Sequence, residues 1–363
     1  MTATYRLDIY DTSGVLQYQL TDFTALSYLR VVNSPGMVQF VVAGDHDLLE
    51  HIADKWQIEV WRRAEDTATW RREITGICRY DEWNMGELSH GIIIAPGLMS
   101  MLDWRIVGYK ADTANRSKFT NVAAETIANT LVKYNATASG TAADGRIRLA
   151  TIGGLSVEVD GKAGSSYDWY CSFDNLLESL KALCKLGDGD FDLVKTSSTA
   201  WQWRWYEGQL GTDKHTTVIF AMERGNMANP QYIDNRTDEA TVCIVGGQGE
   251  GADRNVVVRT GTNYNVDSNN IEVFLFASDC DTTAALNTRG DKRLKEMQAV
   301  KSFRFDVLQT EGCQYGTHYD LGDLVTAINP KTGAAYTVKV QQVRVSLNDD
   351  GSESISVEMS EPL

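Results

Sequence analysis

Three acids two apart, Asp188, Asp190 and Asp192, sit in a Gly-Asp-Gly-Asp-Phe-Asp run. Carboxylates at this spacing open calcium loops, where alternate oxygens converge on one hard cation. Such a loop needs Gly at its sixth place and Glu at its twelfth, and this chain has Leu193 and Thr199 there. The run reads as the end of a helix and a polar turn into a strand, with an adventitious cation as the rival reading. A second tempting motif is residues 245–251, Val-Gly-Gly-Gln-Gly-Glu-Gly. It follows an apolar run, as a dinucleotide loop would, but Ala252 stands where the third glycine belongs. A β-type run at 255–259 comes next. Without a helix N-terminus there are no free N–H groups or dipole to hold a pyrophosphate. The motif reads as a glycine-rich turn between strands. Trp201, Trp203 and Trp205 recur at period two. Indole faces can stack on sugar rings, but aromatics at that period usually form the core face of a sheet. The core is the preferred reading and a sugar platform the alternative.

Other chemistry is thinly supported. His46 and His51 are five apart, which does not place two ligands on one helical face, so they read as surface histidines. Cysteines 78, 171, 184, 243, 280 and 313 contain no CxxC pair and read as reduced, buried, small hydrophobes. There is no HExxH, GxSxG or phosphate-binding loop. Carboxylates are abundant, but no pair stands out as a glycosidase couple. The sequence therefore nominates no catalytic, cofactor-binding or metal-binding residue, and no cofactor.

Charge narrows the class further. Forty-nine acids against 34 bases give a net charge of −15. Nucleic-acid binding sets Lys and Arg against phosphates. The densest basic spots here are two pairs, Arg62-Arg63 and Arg71-Arg72, so DNA binding is disfavoured. A surface past which DNA slides without sticking is compatible with this charge. No signal peptide is visible, and the longest apolar stretches, 91–95 and 271–277, fall far short of the roughly 20 residues a membrane helix needs.

The elements that must position these residues are mostly strands. Residues 5–10 alternate apolar and polar, 11–14 signal a turn, and 15–20, 25–33, 37–43, 57–62 and 73–83 read as further strands. A short helical piece is expected between 45 and 55. Two helices are expected in the middle, 122–134 capped by Thr120 or Asn121 and 173–186 capped by Ser172. Gly187 stops the second. The Gly-, Ala- and Thr-rich stretch 136–164 reads as loops and short strands. Strands return at 199–206, 216–220, 239–245, 255–259 and 271–276. A third helix is expected over 282–300, with Gly290 inside it to allow close packing. The chain ends in strands at 303–308, 324–329, 336–347 and 353–359, with a hairpin turn at 348–351. Length and pattern predict an α+β, mainly β chain of three regions: 1–108, 109–215 and 216–363.

Several short segments, in their order and spacing, resemble the siphophage proteins that form a tail-tip or baseplate hub. These are Phe23 to Leu26 (FTAL), Asn33 to Gly36 (NSPG), Thr75 to Arg79 (TGICR), Pro96 to Val107, Asn175 to Leu180, Glu223 to Met227, Gly246 to Gly249 with Arg254, Arg289-Gly290, and Tyr319 to Val325 (YDLGDLV). The family is architecturally similar to the trimeric hub of contractile-tailed phages. The resemblance implies two small tail-tube-like β-barrel domains interrupted by α/β insertions, and a homotrimer closing the distal end of the tail tube. It implies a distal tail protein, the tail tube, a tape-measure protein and receptor-binding or fibre proteins as partners. The expected place is the virion tail tip, after assembly in the bacterial cytoplasm, with DNA passing through unbound. The matched segments carry no catalytic residue, so a non-enzyme is expected. The alternatives are a polysaccharide-degrading tail enzyme and a receptor-binding tail module.

Overall fold

The computed structural model describes residues 3–64, 69–86, 89–108, 116–137, 151–187, 189–348 and 351–360. The protein is mainly β, with 47% strand against 16% helix, as the alternating patterns predict. No closed barrel is found among the described residues. The dominant element is a ten-stranded sheet. Its main path runs Met227–Asn235, Val300–Val307, Glu353–Ser360, Ala335–Leu347, Ala25–Val31, Ser34–Ala43, His90–Pro96 and Tyr80–Asn84. Leu324–Ile328 joins through Ala335–Leu347, and Ile219–Phe220 pairs with Leu324–Ile328. The seam between the two ends of the chain is the antiparallel pairing of Val343 with Arg30 and of Val345 with Tyr28.

A four-stranded sheet, ordered Leu16–Leu20, Thr4–Tyr10, Gln57–Arg63, Arg71–Ile77, shares its core with the large sheet. Leu7, Ile9, Ile58 and Val60 from the smaller sheet pack with Phe40, Val340 and Val343 from the larger. The 73–83 run predicted as one strand is two. Arg71–Ile77 belongs to the four-stranded sheet and Tyr80–Asn84 to the ten-stranded one. The chain changes sheets at buried Cys78, whose N–H donates to the Trp56 carbonyl at 2.7 Å. Tyr80–Asn84 is exposed throughout, whereas Arg71–Ile77 is largely buried, and period-two reading alone does not register such a change of sheet. Met227–Asn235 was not anticipated. It is an edge strand with mixed exposure and an irregular register, so it lacks clean alternation.

The middle of the chain builds a second core. Helix α1 is the short piece Leu48–His51 and α2 is Ser100–Asp103. Helices α3 (Ala124–Ala136) and α4 (Leu176–Gly187) pack with the sheet Leu155–Val157, Ala200–Glu207, Gly189–Ser197. The expected caps are corrected. Helix α3 begins after Ala123 with no side-chain cap, because the N–H groups of Ala124 and Glu125 donate to the carbonyls of Ser165 and Ala163. A neighbouring loop supplies the acceptors that Thr120 or Asn121 was expected to give. Helix α4 begins three residues later than predicted, and Asn175 Oδ1 accepts from the Glu178 N–H at 3.1 Å. Phe173 has φ of 59° and an exposed ring, so it lies outside the buried stripe. Part of the 136–164 stretch, 138–150, lies outside the described residues, as do 349 and 350 of the expected hairpin turn.

A third, smaller core lies between α5 (Thr283–Glu296) and the sheet Val256–Thr260, Val242–Gly246, Glu272–Phe276. The Thr282 side chain caps α5 by accepting from the Ala285 N–H at 3.1 Å. A Cβ on Gly290 would lie 2.6 Å from Arg259 Cγ and 2.9 Å from Val245 Cγ2, so the glycine does allow close packing. No helix among the described residues is long and apolar enough to cross a membrane.

Candidate functional site

The motifs singled out in the sequence resolve into structural roles. Asp188 lies outside the described residues. Asp190 is buried, and its oxygens accept from Lys339 Nζ at 2.8 and 3.0 Å, Asn33 Nδ2 at 2.8 Å and the Leu210 N–H at 2.8 Å. Asn33 Oδ1 in turn accepts from the Phe191 N–H at 2.7 Å. Asn33 sits in the tight turn between Ala25–Val31 and Ser34–Ala43 and has φ of 56°. Asp190 thus ties the middle core to the large sheet. Its lone pairs are committed to protein donors, which leaves little for a cation. Asp192, two residues on, lies on the same face of the strand Gly189–Ser197 as Asp190. Burial pushes its carboxyl above the usual range, although Arg30 and Arg204 pull the other way.

Trp201, Trp203 and Trp205 all lie in the second core. Trp203 is fully buried, its Nε1 donates to Asn129 Oδ1 at 2.8 Å, and its ring packs 4.8 Å from Phe191. No flat aromatic platform faces solvent there. Residues 245–251 connect the antiparallel strands Val242–Gly246 and Val256–Thr260, closed by Gly247 N–H to Asn255 O and Asn255 N–H to Gln248 O. The motif is the turn its neighbours predicted. His51 is exposed, and His46 is half-buried with Nδ1 accepting from the Leu48 N–H. Among the described residues, only Asp47, Glu50 and His51 bring three ligand atoms within 4.8 Å of one another. All three are exposed, Glu50 and His51 on the four-residue helix α1 and Asp47 just before it, with no buried group to preform a cage. The six cysteines are free and buried, and burial raises the thiols of Cys78, Cys280 and Cys313 to about 11 and Cys171 to about 12.

The densest polar cluster was not singled out from the sequence. It lies inside the first core, between the two large sheets. Arg62 makes a two-pronged contact with Glu353, Nε to Oε2 at 2.9 Å and Nη2 to Oε1 at 2.6 Å. The Tyr5 hydroxyl donates to Glu353 at 2.5 Å. Beside it, Arg71 grips Glu73 with two bonds of 2.8 Å and reaches Asp320 at 2.7 Å. Arg30 bonds Asp320 and the Tyr315 hydroxyl, both at 2.6 Å, and Tyr315 donates to Glu73 at 2.7 Å. The partners of Arg62 and Glu353 are 291 positions apart, those of Arg30 and Asp320 290 apart. Burial pushes the Asp320 carboxyl up, but Arg30 and Arg71 together outweigh it and hold it below the usual range. Burial also drives the Tyr5, Tyr28, Tyr315 and Tyr319 hydroxyls above their ordinary value.

A second cluster bridges toward the middle core. Lys195 Nζ lies 2.9 Å and Arg72 3.0 Å from Glu59. Burial lowers the Lys195 ammonium, while Glu59 works against that shift. A cavity of about 220 Å³ lies at this junction, lined among others by Arg30, Arg72, Glu73, Phe191, Asp192 and Lys195. The carboxylates of Glu59 and Glu73 are neutralised by guanidinium or ammonium groups within 3.0 Å. Acid–base catalysis requires a carboxyl held free to exchange its proton with a substrate. These two are arranged instead as cross-links. A third strut is Asp323 at the turn 319–325, which accepts from the Thr212 and Asp320 N–H groups and pairs with Lys214 at 2.9 Å. Gly322, with φ of 85°, makes the bend into the following strand.

Comparison with known proteins adds the context for this geometry. The family described as Siphovirus ReqiPepy6 Gp37-like protein matches residues 6–359. No curated protein matches the chain. The fold is similar to that of the 43 kDa tail protein of prophage MuSo2 from Shewanella oneidensis, with TM-score 0.60 and 13% identity over 99% of this chain and 98% of that one. It is also similar to the tail protein from Neisseria meningitidis MC58, with TM-score 0.58 and 11% identity over 99% and 97%. A chain of the PdpA–VgrG complex of Francisella aligns with TM-score 0.54 and 9% identity, covering 99% of this chain and 52% of that one.

Proposed function

Because the chain belongs to the Siphovirus ReqiPepy6 Gp37-like family of siphovirus tail proteins, we propose that it is the hub of a phage tail tip. It closes the distal end of the tail tube and joins it to the host-recognition apparatus. The observation that carries this reading is the commitment of buried charge to cross-linking. Arg62–Glu353, Arg71–Asp320 and Asp190–Lys339 each bind one part of the fold to another. A part that transmits a receptor signal along a tail needs such rigidity more than it needs a reactive cleft.

In this reading the regions 1–108 and 216–363 supply two small tail-tube-like barrels, and 109–215 is the α/β insertion. Three copies set six barrels under the tube. The hub contacts a distal tail protein, the tube, the tape-measure protein and receptor-binding or fibre proteins within the virion, after assembly in the bacterial cytoplasm. It is not an enzyme. The net charge of −15 lines the lumen with acids, which keeps DNA moving by repulsion. Phage particles made without this chain should have tails lacking a tip. Complete tips on such particles would overturn the reading. Sugar release from host cell wall by the purified chain, lost on changing one Asp or Glu, would overturn its non-enzymatic part.

A further inference from the structure

Asp190 holds an amine and an amide on one carboxylate. Asn33 Nδ2 donates to its Oδ1 at 2.8 Å, and Lys339 Nζ lies 3.0 Å from that same oxygen and 2.8 Å from Oδ2. The strand pairing brings the two side chains together. Val31 pairs with Gln342 across the seam, and the Val32 N–H donates to the Gln341 carbonyl at 2.9 Å. Asn33 and Lys339 follow within two residues on either side of that contact. The side chains of Asp190 and Lys339 are 2% and 11% exposed, so little water competes for them.

The orientation of the amide is fixed by its neighbours. Asn33 Oδ1 accepts from the Phe191 N–H at 2.7 Å while Nδ2 faces the carboxylate. Turning the amide over would set N–H against N–H and oxygen against oxygen. The Phe191 N–H therefore polarises the amide carbonyl. It sits where negative charge would develop on Oδ1 if Cγ were attacked, the place of an oxyanion-hole donor. Asp190 is itself steadied by the Leu210 N–H, which donates to Oδ2 at 2.8 Å. One carboxylate within hydrogen-bond reach of both nitrogens can take a proton from one and give a proton to the other. The cavity already described is lined by Asn33, Phe191 and Leu210 and offers a small leaving molecule a way out.

We propose that Lys339 and Asn33 join through an intramolecular isopeptide bond, with Asp190 as its acid–base catalyst. The ion pair is the arrangement from which the reaction starts. Asp190 takes a proton from Lys339 Nζ, and the neutral amine attacks Asn33 Cγ. The Nζ–Cγ bond forms and the Phe191 N–H holds the charge on Oδ1. Asp190 gives its proton to Nδ2 and takes the second proton from Nζ. The carbonyl re-forms, the Cγ–Nδ2 bond breaks, and ammonia leaves with that last proton as ammonium, restoring the carboxylate. Nothing is oxidised or reduced. The product ties the turn after Ala25–Val31 covalently to Ala335–Leu347, near the other end of the chain.

The test is the intact mass of the purified full chain, with peptide mapping, followed during incubation of the folded protein at neutral pH. Wild type should become lighter than its sequence by one ammonia, and digestion should release a branched peptide joining Asn33 to Lys339. On a reducing, denaturing gel it should run ahead of Lys339→Arg, because a closed loop stays compact. Lys339→Arg and Asp190→Asn should keep their sequence masses, and Asn33→Asp should lose water in place of ammonia. The wild-type result decides the matter even where a variant fails to fold. A folded wild type that keeps its full mass after prolonged incubation would overturn the proposal. So would an ammonia loss that maps to ring closure between Asn33 and Ser34 without a branched peptide, or one that persists in Lys339→Arg.

Discussion

Removing the Glu353 carboxylate tests whether the buried charges act as cross-links. Glu353 begins the last strand of the ten-stranded sheet, and Arg62 lies in the four-stranded sheet. Their side chains are 4% and 7% exposed, so solvent screening offers little relief. In Glu353→Ala the guanidinium keeps the Tyr5 hydroxyl at 3.1 Å and the Tyr315 carbonyl at 3.4 Å, neither of them charged. Tyr5 and Gln309 lose their acceptor as well. Stranding one member of a buried pair costs about 3–5 kcal/mol, whereas replacing both by apolar residues of similar volume is often near neutral. Glu353→Ala should therefore lose about 3–5 kcal/mol, while Arg62→Met/Glu353→Leu should recover at least about 2 kcal/mol of that loss. Equilibrium urea unfolding followed by tryptophan fluorescence measures both. A Glu353→Ala protein within about 0.5 kcal/mol of wild type, or a double variant whose losses simply add, would refute the cross-link account.

Three further outcomes follow from the same geometry. Tyr5, Tyr28, Tyr315 and Tyr319 have hydroxyls held above their ordinary value by burial, so their contribution to stability is fully present below about pH 10 and is lost as pH rises above it, where only the unfolded chain ionises; tyrosinate absorbance should appear together with unfolding, and its appearance in the folded protein would contradict the burial. Asp190→Ala should cost about 3–5 kcal/mol by stranding Lys339, whose side chain is 11% exposed; added calcium should leave wild-type melting unchanged, and a calcium-dependent rise would make the 188–192 acids a cation site after all. Gly290→Ala should destabilise by about 1–3 kcal/mol through its clash with Arg259 and Val245, against the roughly 1 kcal/mol that alanine gains in a helix; a more stable variant in thermal melts would show that the contact can relax.

What the sequence determined by itself was local. The period-two run Trp201, Trp203, Trp205 placed three indoles in a core, and the strand following 245–251 made that motif a turn. Gly187 ends α4, Thr282 starts α5, and Gly290 packs closely, each within a residue or two of its expected place. These features are set by backbone geometry and by neighbours a few positions away. Where a partner came from elsewhere in the chain, local reading failed: the 160s loop caps α3, and the chain switches sheets at Cys78. The tertiary structure alone decided that the two ends of the chain share one sheet. It also decided that Arg30, Arg62, Arg71, Glu73, Asp320 and Glu353 converge between that sheet and the four-stranded one. In sequence these look like ordinary surface charges, because nothing short-range distinguishes an inward arginine from a solvated one. Only the packing of segments some 290 residues apart brings Arg62 to Glu353 and Arg30 to Asp320, and that packing is a property of the whole fold.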